Sequence, residues 1–295
     1  MKKTIIFSLP GNIKLTQALA NKLAIEMGKA EIREFPDGES YIRVDSDVKN
    51  KTVILVCTLD HPNSKILPLL FMARTLNDLG AKRICLIAPY LPYMRQDKSF
   101  HPGEAISSLF FAQLLSSLID SLITIDPHLH RIHKLSEIYT IPCLLTLHAT
   151  KKIADWIQHH MKDPILIGPD EESKQWIAEI ADFNNLPFVI GQKKRLGDRQ
   201  VMISLPEIKN LNHVPILVDD VISTGVSMLE TLKQLTSRGF KNSVCIGVHA
   251  LFDKETENKL TIAGAKQIIT CNTIPHSTNK IDISDIIAKG IVELC

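Results

Sequence analysis

The chain has 295 residues, 45% of them hydrophobic and 22% charged, with a formal net charge of +2. That length holds one large or two medium α/β domains, and so balanced a charge excludes a protein built mainly to cover nucleic acid. Six cysteines lack any Cys-x-x-Cys pair, the N-terminal apolar run stops early, and the longest apolar region is broken by serines and Asp120, which together indicate a cytoplasmic protein with no membrane partner.

Short runs of Ile, Val and Leu alternate with amphipathic segments, the rhythm of βαβ units in a parallel sheet. The spacing predicts helices over 14–27, 65–79, 104–118, 147–161, 172–184 and 225–238. Strands are predicted at TVILVC (52–57), RICLIAP (83–89), SLITID (121–126), PILIGPD (164–170), LPFVIG (186–191), PILVDD (215–220) and SVCIGVHAL (243–251). Runs that are apolar throughout imply strands covered on both faces, hence helices on both sides of each sheet. A weak internal repeat lays residues 52–90 over 214–252, each reading strand, turn, helix, Gly, Lys and a strand with a central cysteine. It predicts two similar α/β domains, 1–143 and 144–295, each a mostly parallel sheet flanked by helices. The first copy has Cys57 and Thr58 where the second has Asp219 and Asp220, so only the second retains a polar site.

In chain order, Asp37-Gly38 within FPDGESYIRV is a hairpin signal. After the strand ending near Pro89, Arg95 and Lys98 are placed either to neutralise nucleotide phosphates or to sit in a solvated basic loop. TIDPHLHRIH brings Asp126, His128, His130 and His133 together; a zinc site would want about four well-spaced ligands, and no cysteine accompanies them. Asp170 ends another strand, and Glu171-Glu172 suit a helix start. Lys193, Lys194 and Arg195 form a basic loop that is either a flap or merely solvated.

Then comes VPILVDDVISTGVSM, residues 214–228, where a buried strand runs into two aspartates and a loop of small hydroxyl residues. Hydroxyls of Ser223, Thr224 and Ser227 with backbone N–H groups at a helix start make a cradle for a phosphate dianion. Asp219 and Asp220 suit ribose hydroxyls or a magnesium ion. The competing reading is a plain helix cap, with the acids stabilising the helix N-terminus.

The run DDVISTGVS resembles the phosphoribosyl pyrophosphate motif of type I phosphoribosyltransferases, with Val226 where that family usually has glycine and Ser227 in place of threonine. The other segments narrow the resemblance to the ribose-phosphate diphosphokinases, or phosphoribosyl pyrophosphate synthetases. FPDGE resembles their Phe-x-Asp-Gly-Glu motif, and PYLPYMRQDK (89–98) their Tyr-x-x-x-Arg-Gln-Asp-Lys segment, with four residues here between Tyr90 and Arg95 and with a Phe-x-x-Gly-Glu extension like that of the archaeal branch. TIDPH resembles Asp-Leu-His with Pro127 for leucine. GPDEES resembles Ser-Pro-Asp, with Glu172 and Ser173 where two glycines are common, and QKKR resembles the Lys-Arg-Arg flap.

The resemblance implies two phosphoribosyltransferase-like domains, ATP and ribose 5-phosphate as substrates, magnesium, and a homo-oligomer. The β,γ-diphosphoryl group of ATP would pass to the 1-hydroxyl of ribose 5-phosphate, giving phosphoribosyl diphosphate and AMP. It assigns ATP to Phe35, Asp37 and Glu39, which serve a neighbouring subunit, and to Arg95, Gln96, Asp97 and Lys98. Ribose 5-phosphate falls to Asp219, Asp220, Ser223, Thr224, Gly225, Val226 and Ser227, and metal to His128 and Asp170. Transition-state charge falls to Lys193 and Arg195, with Lys194 the alternative in a register open by one residue. Two other readings are a phosphoribosyltransferase, which would leave the Asp37 and Arg95 segments idle, and a non-catalytic regulatory homologue, for which Val226 and Glu172-Ser173 speak.

Overall fold

A computed structural model describes residues 3–129, 131–195 and 201–294, without the side chains of 193–195 and 201. The chain divides into two compact units, Met1–Leu147 with Ser284–Cys295, and His148–Ile283.

The first unit carries β1 (Thr4–Ser8), α1 (Ile13–Leu23), β2 (Glu26–Met27), β3 (Ala30–Glu34), β4 (Ser40–Val44), β5 (Thr52–Val56), α2 (Ile66–Asp78), β6 (Arg83–Ala88), α3 (Ser107–Ser116), β7 (Ser121–Ile125) and β8 (Cys143–Leu147). Six of these strands form one parallel sheet in the order β2-β1-β5-β6-β7-β8, while β3 and β4 make a separate antiparallel hairpin. Core residues such as Phe7, Leu55 and Leu86 on the sheet meet Met72 and Leu76 of α2 and Phe111 and Leu115 of α3. Burying one such side chain contributes about 1.5–3 kcal/mol, so the cluster, not helix propensity, holds these elements.

The second unit carries α4 (Thr150–His160), β9 (Pro164–Gly168), α5 (Lys174–Asn184), β10 (Phe188–Ile190), β11 (Gln192–Arg195), β12 (Val201–Ser204), β13 (Val214–Ile222), α6 (Val226–Ser237), β14 (Ser243–Ala250), α7 (Lys254–Ile262), β15 (Ala265–Cys271) and β16 (Asn279–Ile281). Its sheet runs β10-β9-β13-β14-β15-β16, again all parallel, and β11 pairs with β12 as a two-stranded ribbon. Position by position this is the order of the first sheet, so the internal repeat is a repeat of topology. Each sheet reverses its winding next to its first strand, between β1 and β5 and between β9 and β13. Ligands in open parallel sheets collect at the carboxyl ends of the strands flanking such a reversal.

Two expectations differ from the structure. The last helix, α8 (Ser284–Leu294), belongs to the first unit rather than to a domain spanning 144–295. It lies so close to β8 that a Cβ at Gly290 would come within 2.9 Å of Leu145, and Arg83 reaches the Leu294 carbonyl at 3.3 Å. The helix predicted over 14–27 stops at Leu23, because Ala24 turns left-handed at φ +51° and Glu26–Met27 then pairs with β1. No described helix is long and apolar enough to cross a membrane.

Candidate active site

In the second unit, the reversal between β9 and β13 gathers the acidic candidates. Ile167 lies opposite Leu217, so Asp170 leaves β9 beside the stretch of β13 that holds Asp219 and Asp220. The two aspartates lie within β13 rather than beyond its end, with Asp219 opposite Gly247 of β14. Both are half-buried, and an oxygen of Asp219 accepts the Asp220 N–H at 3.0 Å, which fixes that carboxylate against its own strand.

The hydroxyl loop follows. Ser223 is half-buried, Thr224 exposed and Gly225 buried. Gly225 occupies the N-cap of α6 at φ +68°, a conformation glycine adopts without steric cost, and no side chain caps the helix there. The hydroxyls of Ser223 and Thr224 are therefore not spent as an N-cap, contrary to the plain-cap reading. The start of α6 faces the loop with its positive dipole end. Val226 is the first helical residue, and Ser227 follows, its carbonyl accepting the Thr231 hydroxyl at 2.8 Å. Behind the loop stands α7, whose cap residue Asp253 accepts the Thr256 N–H at 2.8 Å. That bond holds the Asp253 carboxyl below its usual range.

Asp170 caps a short 3-10 turn over Glu171–Ser173, accepting the Ser173 N–H at 3.3 Å. Buried Ser173 returns its hydroxyl to the Asp170 carbonyl at 2.6 Å, so the serine that replaces a glycine helps to close the turn. Lys193, Lys194 and Arg195 lie on β11, with Lys193 opposite Ile203 of β12. Their side chains, and residues 196–200, are outside the described residues. The return strand is tied to α6: the Gln234 amide donates to the Ile203 carbonyl and accepts the Leu205 N–H, and Arg238 donates to the carbonyls of Leu205 and Pro206.

In the first unit the equivalent reversal is closed by its own side chains. Asn12 accepts the Thr58 N–H at 3.0 Å, and Lys65, which stands in the repeat where Ser227 stands, is tied to the Asp60 carboxylate and the Thr58 carbonyl. The candidates of this unit come instead from β6 and β7, neighbours in the sheet. The segment after β6 turns at Tyr93, φ +64°, whose hydroxyl donates to Asn63 at 2.6 Å and whose ring lies 4.9 Å from that of Phe111. Arg95 and Lys98 are exposed, and Gln96 is held to the start of α3 by the Ser107 hydroxyl and the Ser108 N–H. Further on, Glu104 accepts N–H groups from His101 and Phe100, which hold its carboxyl below the usual range. His128, half-buried, follows β7 after a strained Asp126 at φ +36°. His130 lies outside the described residues, and His133 donates its N–H to Glu137. Phe35, Asp37 and Glu39 are exposed at the tip of the β3–β4 hairpin. There Asp37 accepts the Glu39 N–H, and the Arg33 guanidinium lies over the rings of Phe35 and Tyr41 at 4.6 and 4.3 Å.

Comparison with known proteins decides the family. Residues 4–118 match the model of the N-terminal domain of ribose phosphate pyrophosphokinase, and residues 136–284 that of the phosphoribosyl transferase domain. The chain is 34% identical to the ribose-phosphate pyrophosphokinase of Saccharolobus solfataricus over 286 residues, covering 94% of this chain and 96% of that one. It belongs to the ribose-phosphate pyrophosphokinase family. A second archaeal member, from Methanopyrus kandleri, is 28% identical and covers 98% of this chain and 99% of its own. The phosphoribosylpyrophosphate synthetase of Mycobacterium smegmatis, 24% identical, shares the fold with a TM-score of 0.86 across 98% of both chains.

Three residues of this chain have structural roles that their own neighbourhoods do not announce: Arg131, whose guanidinium donates to Asp97, Gln234, which bridges Ile203 and Leu205, and Thr256, whose methyl stands 2.9 Å from where a Cβ at Gly225 would lie. Each acts on a segment distant in sequence. The one local signal is the basic residue three positions after His128.

Proposed function

We propose that this chain makes phosphoribosyl diphosphate and AMP from ATP and ribose 5-phosphate, and that the division of labour follows its two units. The observation that carries the reading is the loop of the second unit. A helix that starts on a left-handed glycine without a side-chain cap, with Ser227 in its first turn, is joined through two hydroxyl residues, Ser223 and Thr224, to a strand bearing paired aspartates. One end of that arrangement suits a phosphate dianion and the other suits sugar hydroxyls, which is the pattern of a sugar phosphate.

On this reading Asp219 and Asp220 accept hydrogen bonds from the ribose 2- and 3-hydroxyls. Ser223, Thr224, Gly225, Val226 and Ser227 wrap the 5-phosphate with hydroxyl and backbone donors. Holding both ends fixes the 1-hydroxyl for in-line attack on the β-phosphorus, so that proximity supplies much of the rate. The bond from the β-phosphorus to the bridging oxygen breaks, and that oxygen leaves with AMP. Lys193 and Arg195 of the ribbon neutralise the charge that grows on the transferring group, in the way fixed cations stabilise phosphoryl transfer. In the first unit Arg95, Gln96 and Lys98 bind ATP. The exposed hairpin tip of Phe35, Asp37 and Glu39 completes the nucleotide site of a neighbouring copy, which makes the active form a homo-oligomer. Cytoplasmic nucleotide metabolism suits such substrates and the buried thiols of Cys57 and Cys245.

Among the described residues no group of three or more His, Cys, Asp or Glu side chains converges as a metal cage. Magnesium carried on a triphosphate takes phosphate oxygens, water and only one or two protein groups. His128 is the metal ligand proposed for the first unit, and Asp170 the one proposed for the second. Bound magnesium would supply charge neutralisation on the phosphoryl oxygens.

Site-directed variants test the assignment. Asp220→Ala should raise the KM for ribose 5-phosphate, and Lys193→Ala with Arg195→Ala should lower kcat. Unchanged turnover in the flap double variant would remove the ribbon from the chemistry.

A further inference from the structure

Two loops of the first unit, one after β6 and one after β7, are joined by an ion pair. Asp97 lies two residues beyond Arg95, and Arg131 three residues beyond His128. One oxygen of Asp97 accepts from the Arg131 guanidinium at 2.7 Å, and the other accepts the Arg131 backbone N–H at 3.3 Å. The Asp97 side chain is 3% exposed, whereas that of Arg131 is 52% exposed. The carboxylate is thus turned away from solvent with both oxygens engaged, while its neighbours Arg95 and Lys98 face outward. The centre of the Phe100 ring lies 5.5 Å from the Arg131 guanidinium and 5.1 Å from the Lys98 ammonium, so both cations rest on one aromatic ring.

A carboxylate buried this way is poorly placed to contact a nucleotide, and next to a triphosphate it would repel. Its two hydrogen bonds instead fix the main chain at residue 131 as well as the Arg131 side chain, which a contact through the side chain alone would not do. Bonds of this charge-assisted kind are short, directional and costly to lose from one side. We infer that Asp97 and Arg131 are a pair of positioning residues that set the ATP loop, Arg95 to Lys98, against the metal-binding candidate His128, and that Asp97 is not itself an ATP ligand. The inference rests on the proposed use of ATP by this unit.

Its test is a double-mutant cycle read by calorimetry, with magnesium and α,β-methylene-ATP as the probe and the full-length protein in every case. Asp97→Asn and Arg131→Ala should each weaken binding of the probe by about tenfold, the effect of losing one charge-assisted contact. The double variant should be no weaker than either single one, because both remove the same interaction. Arg131→Lys should recover part of the loss, and the KM for ribose 5-phosphate should hold in all four. Wild-type affinity in Asp97→Asn, with only Arg131→Ala affected, would make Arg131 a direct ligand and overturn the inference. Losses that multiply in the double variant would do the same, as would an equal rise in the KM for ribose 5-phosphate. AMP formation by the unaltered protein tests the proposed function separately: a protein that binds the probe but makes no AMP loses that function, while the cycle still decides the pair.

Discussion

Gly225 turns beneath Thr256 so closely that a Cβ at the glycine would come within 2.9 Å of the threonine methyl. The N-terminal turn of α7 therefore forms the back wall of the loop that opens α6, and the loop has one backbone path open to it. Gly225→Ala would impose both a left-handed alanine, at about 1–2 kcal/mol, and that contact. We expect a raised KM for ribose 5-phosphate, with a matching fall in Tm. Steady-state kinetics showing the KM unmoved would remove Gly225 from the phosphate cradle.

Val226 is the neighbouring test. It begins α6 and is half-buried, where relatives of the resembling family usually carry glycine. Replacing it by glycine costs less than about 1 kcal/mol of helix stability and opens the loop. A lower KM for ribose 5-phosphate in Val226→Gly is the expected outcome. An unchanged or higher value would mean the loop already accepts the valine without constraint.

The ribbon should depend on α6 as well. Gln234 serves the Ile203 carbonyl and the Leu205 N–H as another strand would, and Gln234→Leu leaves both backbone groups without that partner, at about 1–3 kcal/mol each if they stay dry. Turnover should fall while the KM for ribose 5-phosphate stays near its original value, since the loop at the far end of α6 is untouched. A change confined to KM would contradict the assignment of the ribbon to the chemical step.

Burial pushes the thiols of Cys57 and Cys245 up to about 12. At pH 8 only about one in ten thousand of such thiols is ionised, so neither should react with iodoacetamide in the folded protein, and both should react after unfolding. The sign for stability follows. Below the unfolded value near 9 both states keep the proton, and these thiols add no pH dependence. As pH rises from there toward 12, the unfolded chain ionises first and stability falls. Rapid labelling of either cysteine at pH 8, read by peptide mass spectrometry, would contradict their burial.

The sequence exposed those parts of the protein that sit on contiguous runs. Asp219 to Ser227 was legible because strand, acids, hydroxyls and helix start follow one another without interruption. Asp37-Gly38 marked its hairpin for the same reason, and the alternation of apolar runs disclosed two similar parallel sheets. What stayed hidden depends on partners far along the chain. Arg131 finds Asp97 across a separation of 34 positions, and α8 returns to the first unit because Gly290 permits contact with β8, which no local pattern encodes. The overextended first helix is a different failure. Ile25 and Met27 continue a plausible helical spacing, but Ala24 turns left-handed and hands them to the sheet.

The most direct test of the central claim is the identity of the nucleotide product. The protein is incubated with ATP, magnesium and ribose 5-phosphate, and AMP is resolved from ADP by ion exchange or phosphorus NMR. Attack at the β-phosphorus predicts AMP formed one-for-one with a sugar diphosphate, and only when ribose 5-phosphate is present. ADP as the product would mean transfer of the γ-phosphoryl group alone and would contradict the account.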